Sequence, residues 1–542
     1  MNKLLPIIAA ALLLPAAAAA HTATWASKDR HYLPTDSLPA ALTADTTLQA
    51  WRGERIGALA LIQADATEAI SAKAKGKFQC AAAPVDYVIT DNFRACGVHP
   101  SDRTPYEVPD IINSAASAVP AKAGQLTPVW VTVEVPQSAR PGTYVHTVEI
   151  AGERLTLRIQ VQDRALPTPA AQAFHLNLWQ QPYAVSRYYG VEPWSAAHFE
   201  HLKPYAQMLA RAGQRTISTI LFFEPWGEQS NDLFQPMVQT TRHADGSWSY
   251  DYGVFDRWVE FMDSYGVGPL IECFTMIPWE MNFRYFDEAT GDYAFLKTTT
   301  DAAEYRDLWS DFLRSFGAHL RQKGWFDRTA ISMDERALPD MLNALQIIRD
   351  TEPQLKVSLA GNYHPEIIDQ LHTCSIQLGD PIPADVIERR RSNGQVSTLY
   401  TCCTLPEPNL FSNNAPADAA WLPLYCTSTG YDGYLHWSWM NWTDDPMHDS
   451  RFKLFAPGDT YFIYPDGCSS VRFERLIEGI QLSEKVRLLR QECINIGDAA
   501  SLARLEDALN PIRSQQLSRY VTTASQVARL TAVVNELSRS SK

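Results

Sequence analysis

Cysteine and charge are both scarce in this chain. Nine cysteines spread over 542 residues are an odd and thin count, which excludes a small scaffold held by disulfides. Cys80 and Cys96 lie close enough in sequence to suggest one bridge in an oxidising compartment. The adjacent Cys402 and Cys403 have no CxxC partner and no histidine at metal-ligand spacing, so a zinc site is not indicated and no metal or other cofactor is expected. Charged residues make up only 20% of the chain and the formal net charge is −14. That sign argues against a nucleic-acid partner, because phosphate binding needs basic surface to release counterions. Beyond residue 20 no apolar run is long enough to span a bilayer. The nucleophile elbow GxSxG, the zinc helix HExxH, the phosphate loop GxxxxGKS/T and the dinucleotide fingerprint GxGxxG are all missing, which removes the commonest hydrolase, metalloprotease and nucleotide readings.

Aromatic residues are plentiful. Fifteen Trp and twenty-two Tyr describe a folded globular protein. The first twenty residues read as a secretory signal: Lys3, the apolar run LLPIIAAALLLP, then alanines to Ala20. The mature chain is expected to begin near His21 and to be exported, into a bacterial periplasm or beyond.

Two rhythms divide the rest. VWVTVEV, TYVHTVEI and RLTLRIQV alternate with period two and are joined by PQSARPG and AGE, the pattern of a β-sandwich over residues 21–165. After the proline-bearing stretch DRALPTPAAQAF, short apolar strands alternate with amphipathic helices: FHLNLW, TISTILFF, GPLIECFTM, TAISM, KVSLAG, SIQLG, QVSTLYTC and GYLHWSW are the strands. Eight such alternations over residues 172–495 predict a (β/α)8 barrel. A helical tail, 496–542, completes a fold of β-sandwich, barrel and terminal helices, and its apolar faces are expected to pack on the neighbouring domain.

Barrel enzymes carry their chemistry where strands end. Here the strand ends read Trp179 and Gln180; Glu224, Pro225 and Trp226; Pro278, Trp279 and Glu280; Asp334 and Glu335; Asn362, Tyr363 and His364; Tyr400; and Trp437, Trp439, Asn441 and Trp442. Aromatic faces with a few polar anchors suit a sugar ring, and carboxyls suit acid–base work on a glycosidic bond. Tryptophans in such positions can equally plug a barrel top, and Glu224 and Glu280 can equally pair with arginines. Asp334 and Glu335, adjacent at the end of an apolar strand, are harder to explain by solvation alone, because like charges this close repel and burial penalises both.

Several stretches resemble glycoside hydrolase family 123: VPQSARPGTYVHTVEIAG, MIPWEMNFRYFDEATGDY, ISMDER, GYDGYLHWSWMNWTDDP, GDTYFIYPDG and SVRFERLIEGIQ. The likeness covers about 125–490. It implies a retaining exo-acting β-N-acetylgalactosaminidase, working on glycolipid or glycoprotein glycans by a substrate-assisted mechanism. Asp334 would orient the acetamide, kept ionised by its hydrogen bonds, and Glu335 would serve as acid and then base, kept neutral by an apolar surround. Strand-end position adds Trp437, Trp439, Asn441, Tyr363, Tyr400, Trp279 and Asn362 as candidate substrate-binding residues. Two other readings stand beside this one. A conventional retaining glycosidase would pair Glu335 with Glu224 or Glu280, and an inactive barrel would only bind glycans.

Overall fold

The computed structural model describes residues 21–97 and 103–539. The stretch 1–20, expected to be a signal, lies outside them.

Residues 21–165 form two facing sheets. One has the order His21–Ala26, Arg55–Ala64, Leu126–Glu134, Gln79–Thr90, Tyr106–Ile112, and it ends on Ser469–Ser470, a strand contributed from far along the chain. The other runs Asp45–Arg52, Glu153–Ala165, Gly142–Ile150, Ala72–Lys75. The period-two pattern has the physical meaning expected of it: Val129, Val131 and Val133 from one sheet meet Val148, Ile150, Leu155, Leu157 and Ile159 from the other in a single core. Ile150 pairs with Glu153 across a two-residue turn. Ala151 and Gly152 both have positive φ there, 53° and 89°, as a hairpin turn matched to strand twist requires.

The barrel follows. Its strands are β1 (His175–Leu178), β2 (Thr216–Ile220), β3 (Leu270–Phe274), β4 (Thr329–Met333), β5 (Lys356–Gly361), β6 (Thr373–Gln377), β7 (Val396–Tyr400) and β8 (Gly433–His436). All the pairings are parallel, in the order β1-β8-β7-β6-β5-β4-β3-β2. Between β1 and β2 there is no ladder but a single bridge, Leu176 to Gln214. The Gln214 side chain takes the place of the missing pairs, accepting from the Leu178 N–H at 2.9 Å and donating to the carbonyls of Leu178 and Thr216 at 3.1 and 2.8 Å. A primary amide has both a donor and an acceptor, so it can stand in for a peptide unit.

Helices α1 (Ala196–Ala212), α2 (Gly253–Ser264), α3 (Ala303–Lys323), α4 (Leu338–Thr351), α5 (Ala384–Ser392), α6 (Pro416–Thr429) and α7 (Val471–Ile496) surround the strands, and after β5 a 3-10 turn, Ile368–Gln370, replaces a helix. Two excursions rise from the ends of β2 and β3. Their hairpins, Gln239–Arg242 with Trp248–Asp251 and Asn282–Asp287 with Asp292–Lys297, join into a separate four-stranded sheet.

Helix α7 lies between the two domains and is buried on nearly every side. Its apolar residues Phe473, Ile477, Ile480 and Leu489 belong to the barrel core. Its polar residues hold the sandwich: Glu474 takes Arg55, Glu478 takes Lys28, Arg475 takes Asp29 and Lys485 takes Glu54. Gly479 allows a close crossing, since a Cβ there would come within 2.5 Å of the Ala420 carbonyl on α6. The tail helices α8 (Ala499–Arg513) and α9 (Thr523–Arg539) pack on α6 and α7, and Ser538 accepts the indole N–H of Trp51 in the sandwich.

The most buried of these inter-domain pairs is Asp110 with Arg472. One carboxylate oxygen accepts from Arg472 Nε and Nη2 at 3.0 and 2.7 Å and from the Tyr464 hydroxyl at 2.6 Å. Burial works against the guanidinium charge, but Asp110 outweighs it and the Arg472 pKa stays above its ordinary value. Replacing Asp110 by Ala leaves that charge buried and unpaired, at a cost of about 3–5 kcal/mol. The exposed pair Arg154–Glu149 contributes about 0–1 kcal/mol. Denaturant unfolding of the full chain is therefore expected to show a large downward shift in midpoint for Asp110→Ala and almost none for Glu149→Ala.

Candidate active site

Strand β4 is buried throughout, then breaks: Asp334 leaves the ladder and Glu335 sits at a bend. On a continuing strand adjacent side chains would point to opposite faces. Because the strand stops here, both acids line one cleft of about 490 Å³ at the carboxyl ends of the strands. They are the only carboxylates lining it among the described residues.

Asp334 is deep, with 12% of its side chain exposed. Its Oδ2 accepts the Trp226 indole N–H at 2.7 Å, and its Oδ1 lies 2.9 Å from an Arg336 guanidinium nitrogen without an aligned hydrogen bond. Burial pushes its pKa up to about 6, against the pull of Arg336 and the Trp226 hydrogen bond, with the Glu335 charge adding to the rise. Glu335 is exposed to the cleft and accepts the Tyr400 hydroxyl. The acid expected to be held ionised is thus the one whose charge burial opposes, while its neighbour faces solvent. The reason is where the strand breaks: Asp334 is still within the barrel mouth and Glu335 is one residue further out.

Trp226 owes its position to Glu224. Glu224 has a positive φ of 47°, an uncommon conformation for a side chain of this type. Its carboxylate accepts the backbone N–H groups of Trp226 and Phe234 at 3.1 and 2.8 Å. Burial pushes its pKa up to about 7 in spite of those bonds. Glu224 therefore shapes a loop, and its partners are backbone amides, not arginines. Glu280 is exposed and does not line the cleft.

Of the candidate binding residues, Trp279, Asn362, Tyr400 and Trp437 line the cleft. Trp439, Asn441 and Tyr363 do not. The chain bends at Trp437 and again at Trp439, so strand alternation no longer applies, and Trp439 is wholly buried against Tyr205 and Phe473. Asn441, also buried, accepts the Asn231 N–H at 2.9 Å and donates to the Gln229 carbonyl at 3.2 Å, which supports the loop from which Gln229 reaches the cleft. A bend at Asn362 turns Tyr363 onto the hydrophobic core. Residues outside the candidate binding set complete the wall: Trp179 stacked on Trp226 with centroids 5.3 Å apart, Phe455 against Trp437, and Gln229, Gln377 and Thr404 as polar groups. The two tryptophans were readable as strand-end aromatics; Phe455 and Gln229 lie in long loops whose course no local pattern reveals.

The disulfide is not the one anticipated. Cys96 bonds to Cys403, with Cα atoms 5.1 Å apart, and Cys80 is free. Closeness in sequence misled here, because Cys80 sits on a sandwich strand and Cys96 on a strap that leaves the sandwich for the barrel mouth. That strap, 91–97, pairs Cys96 with Phe455, donates the Gly97 N–H to Leu454 at 2.9 Å, and is gripped by the Asn413 amide at Asp91 and Phe93. Cys96, Cys403 and the free Cys402 all line the cleft, so the sandwich domain supplies part of its wall. No group of three or more His, Cys, Asp or Glu among the described residues is placed to hold a metal ion.

A pair of acids on the floor of an aromatic cleft, at the strand ends of a parallel barrel, is equipped for acid–base chemistry on a sugar. A family model described as the glycoside hydrolase 123 catalytic domain matches residues 179–489, and one for the glycoside hydrolase 123 N-terminal domain matches residues 25–152. The chain belongs to glycoside hydrolase family 123. Among solved structures, it superimposes on a family 123 glycoside hydrolase from Clostridium perfringens, studied for glycolipid glycan hydrolysis, with a TM-score of 0.86, 23% identity and coverage of 96% of this chain and 98% of that one. A putative α-galactosidase/melibiase from Bacteroides fragilis gives a TM-score of only 0.26 at 10% identity, over 81% of this chain and 77% of that one. Comparison with curated proteins gave no match.

Two expectations follow. Because the folded Asp334 pKa lies above its unfolded value near 3.8, its ionised form opposes folding and stability is lost as pH rises from 4 through 6. Asp334→Asn escapes that loss, so its unfolding free energy relative to wild type is expected to improve by up to about 3 kcal/mol between pH 4 and pH 7, as denaturant titrations at both pH values will measure. Reduction of Cys96–Cys403, or Cys403→Ser, is expected to raise KM more than it lowers kcat, because it frees a wall of the cleft and leaves the acids in place.

Proposed function

We propose that this protein is an exported, retaining exo-β-N-acetylgalactosaminidase that uses the substrate's own acetamide as nucleophile. The observation that carries this reading is the pair itself: among the described residues, Asp334 and Glu335 are the only carboxylates that line the cleft. A conventional double displacement needs a second carboxylate about 5–5.5 Å across the anomeric carbon from the acid. Glu224 is occupied by backbone amides and Glu280 lies outside.

In the proposed cycle Asp334, fixed by Trp226 and Arg336, accepts the acetamido N–H. This orients the acetamide and offsets the positive charge that grows on it. The acetamide carbonyl oxygen attacks the anomeric carbon while Glu335 gives its proton to the departing glycosidic oxygen. The resulting oxazolinium is opened by water at the same carbon, with Glu335 taking the water's proton, and the acetamide is restored with net retention. The Trp226 hydrogen bond and the adjacent Arg336 guanidinium hold the Asp334 carboxylate at the cleft, which supports the role given to it.

A cleft closed on one side by the disulfide-bonded strap suits a terminal sugar. The cross-domain disulfide fits an oxidising compartment and with it the exported location. The Clostridium perfringens relative's glycolipid glycans, together with glycoprotein glycans, are the natural substrates to examine.

The test is hydrolysis of matched aryl β-glycosides of N-acetylgalactosamine, N-acetylglucosamine and galactose. Wild type is expected to turn over the first and to leave the galactoside untouched. Asp334→Asn is expected to lose turnover on all substrates, and Glu335→Gln to retain more on a good leaving group, which needs less protonation. Since Asp334 must be ionised, kcat/KM is expected to fall as pH drops through about 6. Galactoside turnover at a comparable rate would overturn acetamide participation.

A further inference from the structure

The hairpin Asn282–Asp287/Asp292–Lys297 carries exposed aromatic rings on one face that the fold does not use. Its register sets Arg284 opposite Phe295 and Phe286 opposite Tyr293, so these four share a face. The opposite face is absorbed: Phe283 is buried against Phe222 and Trp309, and Tyr285 packs on Trp248. Tyr293 and Phe295 remain 50% and 45% exposed, and Trp279, just before the hairpin, 46%. Exposed rings of this size beside a cleft mark a binding surface more often than chance.

These rings lead outward from the acid. Arg336 follows Glu335 directly, and its guanidinium lies 4.1 Å from the Trp279 ring. Trp279 lines the cleft and donates its backbone N–H to the Pro225 carbonyl at 2.9 Å. Two residues before Pro225, Phe223 meets Phe295 with centroids 6.3 Å apart. Arg284 lies 4.2 Å over Phe223 and 4.9 Å over Tyr293, which holds the three rings as one platform. Gln235 and Gln239 border it, bonded to Arg284 and to the Tyr293 hydroxyl.

We propose that this platform binds the inner sugars of an oligosaccharide leaving group, the residues that follow the one cleaved. The inference rests on the glycosidase reading above: a bond protonated by Glu335 has its leaving group on the Glu335 side, and the rings begin there. Aromatic faces take the C–H faces of pyranoses, and amide and guanidinium groups at the border take their hydroxyls. An anionic membrane surface is the poorer match, since the hairpin end carries Asp287, Glu288 and Asp292, which such a surface repels.

The experiment compares Tyr293→Ala, Phe295→Ala and Phe295→Trp with wild type on three substrates: an aryl β-N-acetylgalactosaminide, a lipid-free tetrasaccharide ending in β-linked N-acetylgalactosamine, and the same glycan on a lipid in detergent micelles. Each alanine is expected to lower kcat/KM on the tetrasaccharide about three- to tenfold, the worth of one stacked ring, without changing the aryl glycoside. Phe295→Trp is expected to keep tetrasaccharide activity. Equal losses on aryl glycoside and tetrasaccharide, or no loss on either, would overturn the proposal. A loss confined to the lipid-linked glycan would also overturn it and assign the rings to lipid. Failure of the glycosidase reading is separate, because it would appear as inactivity of the wild type on the aryl glycoside.

Discussion

Arg472 is the point where the two domains and the two loops that build the cleft meet. It is buried, and besides Asp110 of the sandwich it donates to the carbonyls of Leu410, Gly458 and Tyr461 at 2.5, 2.7 and 3.1 Å. Leu410 belongs to the loop after β7, which also holds Cys403. Gly458 and Tyr461 belong to the loop after β8, which holds Trp437 and Phe455. A guanidinium with its donors in a rigid fork can hold several acceptors at once, and here a single side chain fixes the distance between walls that come from distant parts of the sequence. The charge is tolerable because Asp110 neutralises it and backbone carbonyls take the remaining protons.

The cleft shows the opposite economy. Asp334 carries a charge that its surroundings oppose, held by one indole N–H and one flanking guanidinium. Its supports are themselves supported: Trp226 by the inward carboxylate of Glu224, Arg336 by the Ile277 carbonyl at 2.8 Å and by stacking on Trp279. A carboxylate whose charge burial opposes is thus kept in one orientation by its neighbours. The acids sit on the cleft floor, while loops and the strap from the sandwich supply its walls.

Much of this was legible in the residues. All eight barrel strands could be read from short apolar runs between amphipathic helices, because a parallel barrel strand is buried on both faces and its sequence says so. The acid pair stood out because two carboxylates at the end of such a run have no cheap structural excuse. What stayed hidden depended on long-range placement. Trp439 and Asn441 looked like wall residues by their distance from a strand end, yet two bends send them inward. Cys96 found Cys403 across 307 residues, a separation over which local pattern carries no information. In helix α7 the spacing of Phe473, Ile477, Ile480 and Leu489 defines one apolar face. Its charged face turned out to be buried as well, because the sandwich offers it matching charges.

The edge strand Ser469–Ser470 bears on how the molecule is made. It pairs with Ile111 and Ile112, so the sandwich sheet has an open edge at those two residues until nearly the whole barrel has left the ribosome. Asp110 on that edge waits equally long for Arg472. A chain emerging from its amino end thus passes through a stage in which its first domain shows unpaired backbone and an unmatched acid. Completion of that domain is deferred to the last turn of the second, and the two become native together.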